Sequence, residues 1–157
     1  MKIQIEVDNK TVLDALNRLR QSAARPAPVL LEIGEKLLES TKARFEAQTA
    51  PDGSRWAPNA PVTLARKKGN RPLIGETGTL MDQINYQLIN ESTLELGSPT
   101  IYAATQQFGA RQGQFGRTRR NAPIPWGDIP ARPFIGISES DGETILNLVT
   151  KYLQESI

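Results

Sequence analysis

The stretch from Pro28 to Phe45 constrains the fold most, because its apolar residues recur at the spacing of one helix face. Proline is favoured in the first turn of a helix, and Pro28 stands where that turn would begin. Glutamate and lysine residues fall largely on the opposite face. The apolar stripe consists of Leu30, Ile33, Leu37, Leu38 and Phe45. We therefore predict a long helix that forms the spine of the fold.

Shorter patterns precede this helix. Residues 3–7 alternate polar and apolar side chains, as a half-buried strand requires. The next stretch places Val12, Leu13, Leu16 and Leu19 on one helix face. A strand followed by a helix is therefore predicted before the spine.

The second half of the chain predicts two strands and two helices. Residues 84–88 and 94–96 alternate around a polar turn, which is typical of a hairpin. Residues 102–108 favour a short helix ended by Gly109. Phe134, Ile135 and Ile137 indicate a short buried stretch. Ser140 with Glu143 predicts a capping box that opens a final helix with Ile145, Leu148, Val149, Tyr152 and Leu153 on its inner face.

The order of these elements predicts an α+β fold. A small antiparallel sheet would pack with two or three long helices, and residues 1–157 would form a single domain. Two long loops interrupt the pattern, at residues 50–61 and 110–127. The first contains Pro51, Asp52 and Gly53, an order that favours a tight turn. Loops of this length are frequently functional.

The composition excludes several kinds of chemistry. The chain has no histidine and no cysteine, so disulfides, Ser-His and Cys-His triads and most zinc sites are ruled out. Asp52 and Asp128 lie near tryptophans, but each is more simply a turn or loop residue. We predict a protein that is not an enzyme and has no cofactor or metal. We also expect no signal peptide and no membrane span, and therefore a place in the cytosol or in a particle assembled there.

The second long loop is basic. No acidic residue occurs from Pro99 to Gly127, and residues 111–120 hold Arg111, Arg117, Arg119 and Arg120. Arginine, glycine and one aromatic residue are also typical of segments that grip nucleic-acid strands. We favour a mobile loop that orders against a protein neighbour, with DNA contact as the alternative.

Two tryptophans lie in proline-bounded loops, which is unusual for core residues. Trp56 and Trp126 each have an arginine nearby, and large aromatics with arginine often anchor interfaces. Local packing that pins each loop is an equally good interpretation at this point.

Four blocks in a fixed order carry a family resemblance. They are PDGSRWAP at residues 51–58, PLIGETGTLMDQI at 72–84, IYAATQQFG at 101–109 and IPARPFI at 129–135. Together they resemble the phage virion morphogenesis family, which includes tail-completion proteins, and the resemblance spans about residues 30–157.

The resemblance implies a structural protein of virion assembly at the head–tail joint or the tail end, a neck or tail component of the virion. Relatives are thought to form homo-oligomeric rings without catalytic residues, so the implied partners are other tail or neck proteins. A nucleic-acid-binding prophage protein or a regulatory, toxin-like prophage module are the rival functions. The candidate assembly residues are Trp56, Phe108, Arg111, Arg117, Arg119, Arg120, Trp126, Arg132 and Phe134.

Overall fold

The computed structural model describes residues 9–67, 69–75 and 77–157. The predicted strand at residues 3–7 lies outside them. The helices are α1 (Lys10–Ala23), α2 (Ala27–Ala47), α3 (Pro61–Arg66), α4 (Thr79–Asp82), α5 (Ala103–Phe108) and α6 (Glu139–Gln154), and the strands are β1 (Asn85–Asn90) and β2 (Thr93–Gly97). The α+β prediction is confirmed, with a two-stranded antiparallel sheet packed with long helices.

Helix α2 is the spine, as predicted. It contacts both strands and α6, and it buries Val29, Ile33 and Phe45. Glycine is usually unfavourable inside a helix, but a side chain at Gly34 would overlap the ring of Tyr86 on β1. The glycine therefore allows the sheet to lie directly against the helix.

The core gathers at the C-terminal half of α2. Phe45 has no exposed surface and forms a cluster with Trp56, Leu80, Ile84 and Phe134. The ring of Phe45 lies 5.4 Å from that of Trp56 and 5.3 Å from that of Phe134, in edge and tilted arrangements that aromatic pairs prefer. The core thus joins the first long loop and the segment that follows the second one to the spine.

Helix α1 forms where predicted, but its apolar stripe is not buried. Val12, Leu13 and Leu16 are each about half exposed. Helix α1 contacts α6, where the Tyr152 hydroxyl donates to the carbonyl oxygens of Ser22 and Arg25 at 3.3 and 2.7 Å. The described contacts therefore hold the C-terminal end of α1, and periodicity alone did not show that its face would stay open.

The final helix begins two residues earlier than predicted. Its cap is Ser138, whose hydroxyl accepts from the Asp141 amide at 3.1 Å, while the Asp141 carboxylate accepts from the Ser138 amide at 2.9 Å. The capping box proposed for Ser140 and Glu143 is wrong, because tertiary contacts hold Asp141 in place. The predicted buried stretch is also too long, since Ile137 is 63% exposed.

Loss of this cap should be measurable. We expect Ser138→Ala to lower the free energy of unfolding by about 1 kcal/mol, because the Asp141 amide loses its acceptor. Ser140→Ala is the matched control and should change it by less than about 0.5 kcal/mol. Urea unfolding of both variants checks the assignment, and a larger loss in Ser140→Ala would contradict it.

Candidate interaction interface

The first and last motif blocks interlock in the interior. The Trp56 indole nitrogen donates to the carbonyl oxygen of Pro133 at 2.7 Å. Arg132 donates from Nε to Ala57 and from Nη2 to Pro58, both at 2.8 Å. Trp56, Arg132 and Phe134 are all buried. The prediction that Phe134 is buried is confirmed, and Arg132 binds backbone carbonyl groups.

Burial changes what these three residues can contribute to assembly. Trp56 and Phe134 pack against Phe45 within the monomer. Of the two interpretations of Trp56, local packing that pins its loop is therefore the one that the structure supports. Arg132 keeps one edge on a surface groove, and burial lowers its pKa. Direct contact with another molecule is therefore open mainly to the six remaining candidates.

The sequence interpretation missed Gln107, which holds the last block against α5. Its side-chain oxygen accepts from the amides of Phe134 and Ile135 at 2.9 and 3.1 Å, and its nitrogen donates to the Ile135 carbonyl at 2.9 Å. One amide side chain thus satisfies both donors and an acceptor of an extended segment. Gln107 lies within the third motif block, but nothing in that block identified its partners.

A buried ion pair was missed as well. Arg44 on α2 donates to the carboxylate of Asp141 on α6, and both residues are about 7% exposed or less. Arg44 also donates to the carbonyl oxygens of Phe134 and Gly136 at 3.0 and 2.8 Å. It therefore joins the spine, the final helix and the last motif block in one network.

The basic loop leaves this core as an arm, defined as residues 110–129. Its base is closed by Ala110 and Ile129, whose amides donate to each other's carbonyl oxygens at 2.9 and 2.7 Å. Gly109 precedes it with φ of 76°, and a side chain there would lie 2.7 Å from the Ile129 carbonyl oxygen. Glycine is needed at this position for both reasons.

The arm is an irregular hairpin with main-chain pairing of its own, which the prediction of a mobile loop did not include. Amides of Phe115 and Thr118 donate across it at 2.8 Å to the carbonyls of Ile124 and Ala122. Near the base, the Gln112 amide donates to the Asp128 carboxylate at 2.7 Å. Main-chain pairing supplies the order that its few apolar side chains could not.

The arm exposes the kinds of side chain that anchor interfaces. Trp126 is 75% exposed and Phe115 is 53% exposed, and Phe108 beside the base is 78% exposed. Arg119 and Arg120 lie at the turned tip. Arg111 is also exposed, whereas Arg117 donates to the Asn121 carbonyl at 2.9 Å and stabilises the turn.

The chain has no histidine or cysteine, and the acidic side chains of the described residues do not cluster as metal ligands would. Within the same part of the chain, no helix combines the length and apolar character needed to cross a membrane. What the geometry provides is a projecting arm with solvated aromatic and arginine side chains.

Comparison with known proteins identifies a family. The model of the phage virion morphogenesis family matches residues 7–154. The Mu-like prophage FluMu G protein 2 of Haemophilus influenzae is 31% identical over 153 residues, covering 97% of this chain and 96% of the relative. No solved structure gives a significant match.

Two phage proteins are also similar. Protein G of Escherichia phage Mu, named for capsid assembly, is 27% identical over 161 residues, covering 100% of this chain and 97% of the relative. Tail completion protein S of Escherichia phage P2 is 25% identical over 130 residues, covering 78% and 81%.

Proposed function

Because the chain belongs to the phage virion morphogenesis family, we propose that it is a non-enzymatic subunit that completes the tail where tail and head join. The name of the phage P2 relative, tail completion protein S, supports the tail side of this proposal. It would act in the host cytoplasm during assembly and remain in the virion. The observation that carries the proposal is the arm, which has a hydrogen-bonded base and a solvated, cationic tip.

We propose further that identical subunits form a ring in which the arm of one meets α6 of the next. Contacts around a ring join two different patches of the same chain. The arm has four arginines and, up to Gly127, no acid. Helix α6 exposes Glu139 and Glu143, and Glu155 is exposed just after its last residue. Asp141 is buried against Arg44, so it cannot belong to this acidic patch.

The aromatic side chains give this contact its apolar part. A tryptophan surrounded by solvent in the monomer gains most when a partner covers it, and tryptophan and arginine are enriched among residues that dominate binding energy. Trp126 and Phe115 stand on the same arm as the arginines. The arm therefore combines an apolar anchor with charges that select the partner surface.

Assembly should depend on the arm tip without any loss of folding. We expect Arg119→Ser with Arg120→Ser, and separately Trp126→Ala, to reduce infectious particles at least about tenfold, with unfolding free energies within ~0.5 kcal/mol of wild type. Arg117 is left in place because it holds the turn. Particle titre in a complementation assay and urea unfolding give the two readouts.

Charge exchange identifies the partner surface. Arg119→Glu with Arg120→Glu should block assembly, and Glu139→Lys with Glu143→Lys in the same chain should restore part of it, because the charges again attract. Arg119→Lys with Arg120→Lys is the control that keeps charge. Normal titres from the serine or alanine variants would refute the role of the arm.

DNA binding remains the second candidate because the arm carries four arginines and no acid before Asp128. If the arm contacts several phosphates, the binding affinity should fall steeply as the salt concentration rises. Oligonucleotide binding that is lost in the Arg119→Ser and Arg120→Ser chain, with no rescue by the α6 exchange, would favour DNA over a neighbouring subunit.

A further inference from the structure

A groove of about 630 Å³ lies between α3, the loop before α4, α5 and the base of the arm. Its volume falls in the range of sites that bind small molecules or short segments. Leu80 and Ile129 form part of its apolar wall, whereas Asn59 and Gln106 add amide groups. Such a mixed lining suits a peptide, whose main chain needs hydrogen bonds and whose side chains need apolar contact.

Two cations lie in this groove. Arg132 uses Nε and Nη2 for the carbonyls of Ala57 and Pro58, and the Lys67 ammonium donates to the Arg71 carbonyl at 2.6 Å. Among residues 9–67, 69–75 and 77–157, neither cation forms an ion pair with a carboxylate. The hydrogen bonds of both cations within these residues go to backbone carbonyl groups.

The surroundings of Lys67 disfavour its charged form. Burial lowers the pKa of Lys67, and the charge of Arg132 lowers it further. Two like charges in a partly desolvated groove are each less favourable than they would be in water. A bound anion would offset both effects at once.

We propose that this groove binds an extended, acidic segment of a partner protein, with Lys67 and Arg132 receiving a carboxylate. A peptide carboxylate fits better than a nucleic-acid backbone. The groove offers two cations, and its apolar and amide walls suit the side chains and main chain of a peptide better than a run of phosphates. The inference does not rest on the arm contact, because the groove and the arm tip carry different residues.

The probe is a hexaglutamate peptide, added to the full chain and followed by amide NMR. We expect saturable shifts for groove residues such as Thr63, Thr77 and Gln106, and binding that weakens with salt. Lys67→Gln should weaken binding about fivefold, as expected for a partly exposed charge pair. Lys151→Gln, which removes an equal charge from α6 outside the groove, should leave it unchanged.

Further controls separate the competing outcomes. Hexaglutamine should not bind, and Arg119→Ser with Arg120→Ser should retain hexaglutamate binding even if it no longer supports particle assembly. Equal affinity of wild type and Lys67→Gln, or shifts confined to the arm, would overturn the proposal. Stronger groove binding of an oligodeoxynucleotide of equal charge would also overturn it, in favour of a nucleic-acid site. Urea unfolding of Lys67→Gln verifies that the variant is folded.

Discussion

Replacing Phe134 by alanine should lower the free energy of unfolding by about 3–5 kcal/mol, the range for removing a fully buried phenylalanine. The ring has no exposed surface, and it lies 5.3 Å from the ring of Phe45 in the main cluster. The backbone around it is fixed by Gln107 and Arg44, so the cavity cannot close easily. Because small domains are stable by ~5–15 kcal/mol, the loss would be a large fraction of the total.

Phe108→Ala is the matched control for this prediction. Phe108 is 78% exposed, so its loss should change stability by less than about 0.5 kcal/mol. Denaturant titration of both variants gives the comparison. A change below about 1 kcal/mol in Phe134→Ala would mean that the last motif block serves assembly and contributes little to the core.

Replacing Asp141 by asparagine should destabilise the chain by a similar amount, about 3–5 kcal/mol. The substitution keeps the size of the side chain but removes the charge that faces Arg44. Arg44 is 6% exposed, so its guanidinium would remain buried with carbonyl and hydroxyl partners alone. A buried charge without a counter-charge is among the most costly changes in a protein interior.

The exposed pair of Lys36 and Glu39 provides the control. Their side chains are about half exposed and 2.9 Å apart, so Glu39→Gln should cost less than about 1 kcal/mol. Urea unfolding at neutral pH measures both variants. Equal effects of Asp141→Asn and Glu39→Gln would contradict the role given to the buried pair.

The pH dependence of stability offers a second measurement of the same pair. Burial raises the pKa of Asp141, but hydrogen bonds from Ser40 and Ser138 and the charge of Arg44 outweigh it, so the pKa lies below its usual value. A depressed pKa stabilises the folded state above the unfolded value of about 3.9, and this stabilisation is lost as pH falls through the folded value. Wild type should therefore lose stability in acid more steeply than Asp141→Asn.

The two tryptophans have different environments, one in the core and one on the candidate interface. Both stand in proline-bounded loops with an arginine nearby, and the sequence did not distinguish them. In the structure Trp56 donates to Pro133 from inside the core, whereas Trp126 remains 75% exposed on the arm. The difference follows from which loop folds back onto α2.

Local patterns determined the elements that depend on neighbouring residues. The periodicity from Pro28 to Phe45 predicted α2, and alternation predicted β1 and β2, because helix and strand periods are set by the backbone itself. Gly109 ended α5 as predicted, since glycine adopts the positive φ of 76° without strain. The turn at residues 51–53 also formed, with the Asp52 carboxylate accepting from the Ser54 amide at 2.9 Å.

Tertiary structure alone decided the features whose partners are far apart along the chain. Asp141 rather than Glu143 completes the α6 cap, because Arg44, 97 residues away, fixes its carboxylate. The arm became a hairpin because the contact of Ala110 with Ile129 brings its two sides into hydrogen-bonding distance. The open face of α1 has the same origin, since periodicity marks a face as apolar but burial requires another element to pack on it.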